Sequence, residues 1–102
     1  MNKAKSLYIL APYNAEGFKS VGQNETAITL HWRKVDDILN YKLVYNEEEI
    51  NITASVEYEQ VTHTISDLRS GTQYDFSLLT VFENVRSSGV NLTVVTGKMV
   101  FL

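Results

Sequence analysis

The sequence predicts an all-β sandwich, and three observations predict it. Apolar residues alternate with polar ones at a period of two along most of the chain. Threonine, valine, tyrosine and isoleucine dominate the alternating segments, as strands prefer. Turn-like stretches divide those segments at intervals of about 8 to 12 residues, the spacing of a sandwich or barrel. No segment carries a capped helical stripe.

The segments follow in order. Ala27–Arg33 alternates strictly, with Ile28, Leu30 and Trp32 on one face. Tyr41–Tyr45 places Tyr41, Leu43 and Tyr45 together. Tyr74–Phe82 sets Tyr74, Phe76 and Leu78 inward and leaves Leu79 and Val81 outward. Val90–Thr96 is a β-branched run. Gly22–Glu25, Lys34–Asn40, Asn46–Glu49, Ser66–Gly71 and Glu83–Gly89 read as the breaks between them.

Length and composition narrow the function classes. With 102 residues there is room for one domain with a single core. The formal net charge of −3 gives no electrostatic reason to expect nucleic acid or an anionic membrane as partner. No cysteine is present, which removes disulfides, thiolate metal sites and cysteine nucleophiles together. No apolar run approaches the roughly 18 to 20 residues of a membrane helix. Residues 1–11 carry Lys3 and Lys5 before Leu7–Ala11. That run is short for a signal peptide and lacks a small-residue cleavage site, so it reads as a linker before a domain spanning 12–97. Residues 98–102 read as a tail.

No catalytic or metal constellation emerges. There is no Gly-x-Ser-x-Gly elbow and no glycine-rich phosphate loop. His31 and His63 have no third ligand in register. Asp36-Asp37 lacks the rest of a calcium loop. No cofactor is expected.

Leu68-Arg69-Ser70-Gly71-Thr72-Gln73-Tyr74 is the most specific segment. Together with Trp32 at the end of an early strand, the Tyr41-Leu43-Tyr45 strand and the closing Val94-Val95-Thr96, it resembles a fibronectin type III domain over about residues 11–97. The resemblance implies a seven-stranded immunoglobulin-like sandwich. Strands A (near 15–21), B (27–33) and E (near 62–65) form one sheet. Strands C′ (near 50–55), C (41–46), F (73–82) and G (90–96) form the other. It implies that Tyr74 is the corner tyrosine whose hydroxyl bonds back to the main chain, with Leu68 its buried neighbour and Trp32 the core tryptophan. The chain departs from the family in having Pro12 as its sole proline, with Ser70 where a corner proline is common.

Three asparagines head glycosylation sequons: Asn24-Glu25-Thr26, Asn51-Ile52-Thr53 and Asn91-Leu92-Thr93. The 8 asparagines and 17 serines and threonines would yield one or so by chance. The excess points to an extracellular or cell-surface setting, where much of the family lies. An intracellular, muscle-type module is the alternative. By sequence position, Asn24 and Asn51 fall toward one pole and Asn91 toward the other. Glycans there leave the B–C loop (34–40) and the F–G loop (83–88) free, and the family often recognises partners with those loops. Asp36, Asp37, Asn84, Val85 and Arg86 are therefore the candidate contacts, against the plainer reading of solvated loop residues. Val44, Leu79 and Val81 form an outward apolar strip that marks either an interface or ordinary exposed surface. A glycan on Asn91 argues against the interface. The expected partner is a protein ligand or a neighbouring domain, and the isolated domain is expected to be a monomer. A structural spacer is the competing function.

Overall fold

The computed structural model describes residues 10–98. The expected linker and tail lie largely outside them. Eight strands follow in order: β1 (Glu16–Gln23), β2 (Ile28–Arg33), β3 (Asn40–Tyr45), β4 (Glu48–Thr53), β5 (Gln60–Ile65), β6 (Gln73–Phe82), β7 (Val85–Arg86) and β8 (Val90–Val95). All pairings are antiparallel. One sheet runs β1-β2-β5 and the other β4-β3-β6, with both β7 and β8 paired to β6. The sheet memberships are those the resemblance implied. The additional strand, β7, is a two-residue return inside the expected F–G loop.

The core follows the alternation. Ile28, Leu30, Trp32, Leu43, Phe76 and Leu78 are buried between the sheets, and Ile65, Val61, Ile52 and Val94 close around them. Leu68, expected in the core, is only half-buried and packs on its margin. Trp32 stands edge-on to Phe18 and Tyr41, with ring centroids 6.1 and 5.6 Å away. Among the described residues its indole N–H has no acceptor, and packing within the core holds the ring there.

Turn chemistry sets the register. Asn46 and Glu47 both adopt positive φ, and Tyr45 faces Glu48 across them. This is the two-residue hairpin whose twist matches the strands. Glu48 and Glu49, expected in the connection, therefore belong to β4. β1 is irregular, with register shifts on either side of Lys19-Ser20.

The corner before β6 forms without proline. Tyr74 Oη accepts the Arg69 N–H at 2.8 Å, and the Thr72 hydroxyl donates to Ser70 O at 2.8 Å. Thr96, buried, ties this corner to the end of β8. Its hydroxyl accepts from Thr72 N at 2.9 Å and donates to Arg69 O at 2.6 Å.

Candidate protein-interaction surface

At the opposite pole the connection between β2 and β3 folds over its own tyrosine. Tyr41 sits at the start of β3 with its ring in the core. Its hydroxyl accepts from Val35 N at 2.9 Å and donates to Ile38 O at 3.0 Å. Ile38 N returns to Val35 O at 3.0 Å, closing a turn in which Asp37 takes a φ of 63°. Aspartate tolerates that left-handed conformation better than most residues. Burial pushes the Tyr41 phenol above its ordinary pKa, and the Val35 N–H acts weakly the other way. The loop thus tucks Ile38 inward and leaves Asp36 and Asp37 exposed at the rim.

Beside this rim lies a groove of about 760 Å³. Val35, Ile38 and Phe82 give it an apolar floor, Leu10 to Tyr13 form one wall, and Asp36 and Asp37 line it with charge. Tyr13 is 84% exposed and Phe82 47% exposed. Sequence reasoning found the two aspartates here but missed Tyr13, Ile38 and Phe82. Phe82 carried a signal, since an aromatic at the last position of an alternating run projects past the core.

The F–G candidates do not share this surface. Glu83 and Asn84 form a second two-residue turn at positive φ, and Phe82 faces Val85 across it. The expected loop is thus a tight hairpin. Asn84 lines a separate hollow with Asn40, Lys42 and Asn51. Val85 is half-buried. Arg86 faces outward over the larger sheet and pairs with Glu49 at 3.5 Å, which Lys42 also reaches at 3.5 Å. Among the described residues, no three histidine, aspartate or glutamate side chains gather where a metal ion could bind.

The sequon asparagines are all exposed. Asn24 lies in the turn between β1 and β2, next to the end of the domain, where its carbonyl accepts the Gly97 N–H at 3.0 Å. The other two are not at opposite poles. Because β4 begins at Glu48, Asn51 is mid-strand, opposite Lys42, and Lys42 faces Leu79. Asn91 faces Ser77, which faces Val44. Both asparagines therefore lie on the outer face of the larger sheet, at its two edges and within two residues of the same level.

Two antiparallel sheets with a tyrosine-pinned corner and a core tryptophan define a sandwich of the immunoglobulin-like class. The fibronectin type III profile matches residues 12–93, and the chain belongs to that family. The fibronectin type III domain of human fibronectin type III domain containing protein 3 superposes with a TM-score of 0.69 at 19% identity, over 93% of this chain and 94% of that one. The corresponding domain of human collagen alpha-1(XX) gives 0.68 at 17%, over 99% and 97%. Chitinase ChiA74 from Bacillus thuringiensis gives 0.68 at 23%, over 85% of this chain but 14% of that one. At such identities the likeness shows the fold alone. Domains of this family are commonly non-catalytic modules that bind proteins or space their neighbours, and they are frequent in extracellular and cell-surface proteins.

Proposed function

We propose that this chain is a non-catalytic, extracellular protein-interaction module of a larger cell-surface or adhesion protein. It meets its partner at the B–C pole. The observation that carries the reading is the groove between residues 10–13, the B–C loop and Phe82: it pairs exposed aromatics with two aspartates. Exposed aromatic anchors beside charge are what protein interfaces use. A basic partner residue flanked by an apolar one fits that chemistry. The three sequons support the extracellular setting.

The test is binding of the multimerised, secreted domain to cell-surface and matrix proteins. Reversal of Asp36 and Asp37 to lysine is expected to lower a saturable binding signal at least tenfold, whereas Thr64→Lys on the smaller sheet leaves it intact. Equal binding by both variants would remove the B–C pole as the contact.

A spacer role is the second reading, and one observation favours it. The chain reaches the domain along the wall of the same groove, so a domain attached there would cover Tyr13 and Phe82 itself. Tandem expression with that neighbour would then abolish the binding seen with the isolated domain.

A further inference from the structure

We infer that Asn51 and Asn91 are a paired N-glycan site that screens the outer face of the larger sheet, closing the Val44–Leu79–Val81 strip to protein partners. This rests on the extracellular reading above. The first support is register. Asn51 on β4 and Asn91 on β8 project from the same face as Lys42, Val44, Ser77, Leu79 and Val81. With neighbouring strands about 4.8 Å apart, three spacings place the two asparagines roughly 15 Å from each other. The apolar strip runs between them.

The second support is how each carboxamide is held. Lys42 Nζ donates to Asn51 Oδ1 at 2.9 Å. An ammonium group only donates, so the atom it meets is the carbonyl oxygen, and Nδ2 is turned the other way. The Ser77 hydroxyl donates to Asn91 Oδ1 at 2.6 Å. At the third sequon, Asn24 Oδ1 accepts the backbone N–H groups of Thr26 and Ala27 at 2.9 and 2.8 Å. Each sequon asparagine thus has its oxygen anchored. Among the described residues none of the three uses Nδ2 as a donor. A sugar on Nδ2 removes a proton that the fold does not need and leaves the anchoring bond in place.

The third support is the strip. Val44, Leu79 and Val81 are only half-buried, with Lys42, Glu49 and Arg86 lying over the same face. Glycans are bulky and solubilising, so one at each edge would lean over this ground. In the transfer, Nδ2 attacks the anomeric carbon of a lipid-linked oligosaccharide pyrophosphate. The C–N bond forms, the C–O bond to pyrophosphate breaks, the Nδ2 proton passes to the transferase's base, and the lipid pyrophosphate leaves.

The experiment supplies its own secretion signal and uses mammalian cells. Intact mass before and after enzymatic removal of N-glycans is expected to show occupancy at both Asn51 and Asn91. Asn51→Gln or Thr53→Ala should remove one glycan, and Asn91→Gln or Thr93→Ala the other. The chain has no cysteine, so Val44→Cys or Val81→Cys places a single thiol on the strip, and Thr64→Cys places one on the smaller sheet. A polymer-linked maleimide is expected to label the strip thiols at least several-fold faster once glycans are removed, and to label Thr64→Cys at one rate throughout. A folded, secreted chain with either site empty would overturn the inference, as would strip labelling that ignores glycan removal. A parent protein confined to the cytosol would instead sink the extracellular reading, while leaving these two outcomes to be read.

Discussion

The two poles of the sandwich are each pinned by a tyrosine, yet they are built differently. At the corner before β6, Tyr74 makes a single bond to Arg69 N, five residues upstream, and a web surrounds it. Leu68 N reaches Thr26 O, Gly71 N reaches Gly97 O, and Thr96 ties the corner to β8. At the B–C pole Tyr41 makes two bonds, to Val35 N and Ile38 O, and the loop's tip has little else. Outside that clamp, Lys34 and Ala54 tie the loop's flanks to the β4–β5 connection. One pole is closed by its own backbone. The other is tied at its flanks, its tip rests on the Tyr41 phenol and the Ile38–Val35 turn bond, and it opens onto an apolar groove.

The largest expected effect removes what the poles share. Trp32→Ala should cost about 3 to 5 kcal/mol, because it empties the fully buried centre of the core. Chemical denaturation measures it, and an unchanged midpoint would break the sandwich assignment.

The poles separate in the next pair. Tyr41→Phe leaves the Val35 N–H and Ile38 O without their partner and should cost about 2 to 3 kcal/mol. Tyr74→Phe gives up one bond and should cost about 1 to 2 kcal/mol. The same denaturation series ranks them, and a larger loss at Tyr74 would reverse the comparison.

Titration sharpens the B–C side. Burial raises the Tyr41 pKa above its ordinary 10.0, and Tyr45 is raised by burial and by Glu48. An acid with a raised folded-state pKa holds its proton more tightly when folded. Its contribution is full below the unfolded value of 10.0 and is lost as pH rises through the folded value. Stability should therefore fall as pH climbs above 10, and Tyr41→Phe should flatten that fall without abolishing it, since Tyr45 remains. Thermal melts across alkaline pH record both slopes.

The smallest effect lies outside both poles. Arg86→Ala removes an exposed ion pair with Glu49 and should change stability by less than about 1 kcal/mol.

Most of the fold was legible in the sequence, because period-two alternation places the core residues of β2, β3 and β6 without further information. The Tyr74 corner was legible from its glycine, threonine and leucine companions. Tyr41 was not. It sits in the same alternation as Leu43 and Tyr45, and nothing local says that its hydroxyl turns back to residues 35 and 38. The hairpin at Asn46–Glu49 was legible but not its two-residue tightness, and the hairpin at Glu83–Asn84 was missed, for a related reason. Their turns use Asn46-Glu47 and Glu83-Asn84, without the glycine that usually announces positive φ. That miss displaced Asn51 along β4 and made a loop of Val85 and Arg86. The groove was half legible: its acids stand out in a loop, but its apolar floor and wall combine residues from three distant segments.

Amide hydrogen exchange, read residue by residue on the unmodified domain, tests the difference between the poles most directly. Arg69, Gly71, Thr72 and Gly97 are expected to exchange only through global unfolding. Val35 and Ile38 are expected to exchange through a local opening of lower free energy, as loosely supported segments do. Equal protection at the two poles would contradict the account, because the B–C pole would then be as closed as the corner it is contrasted with.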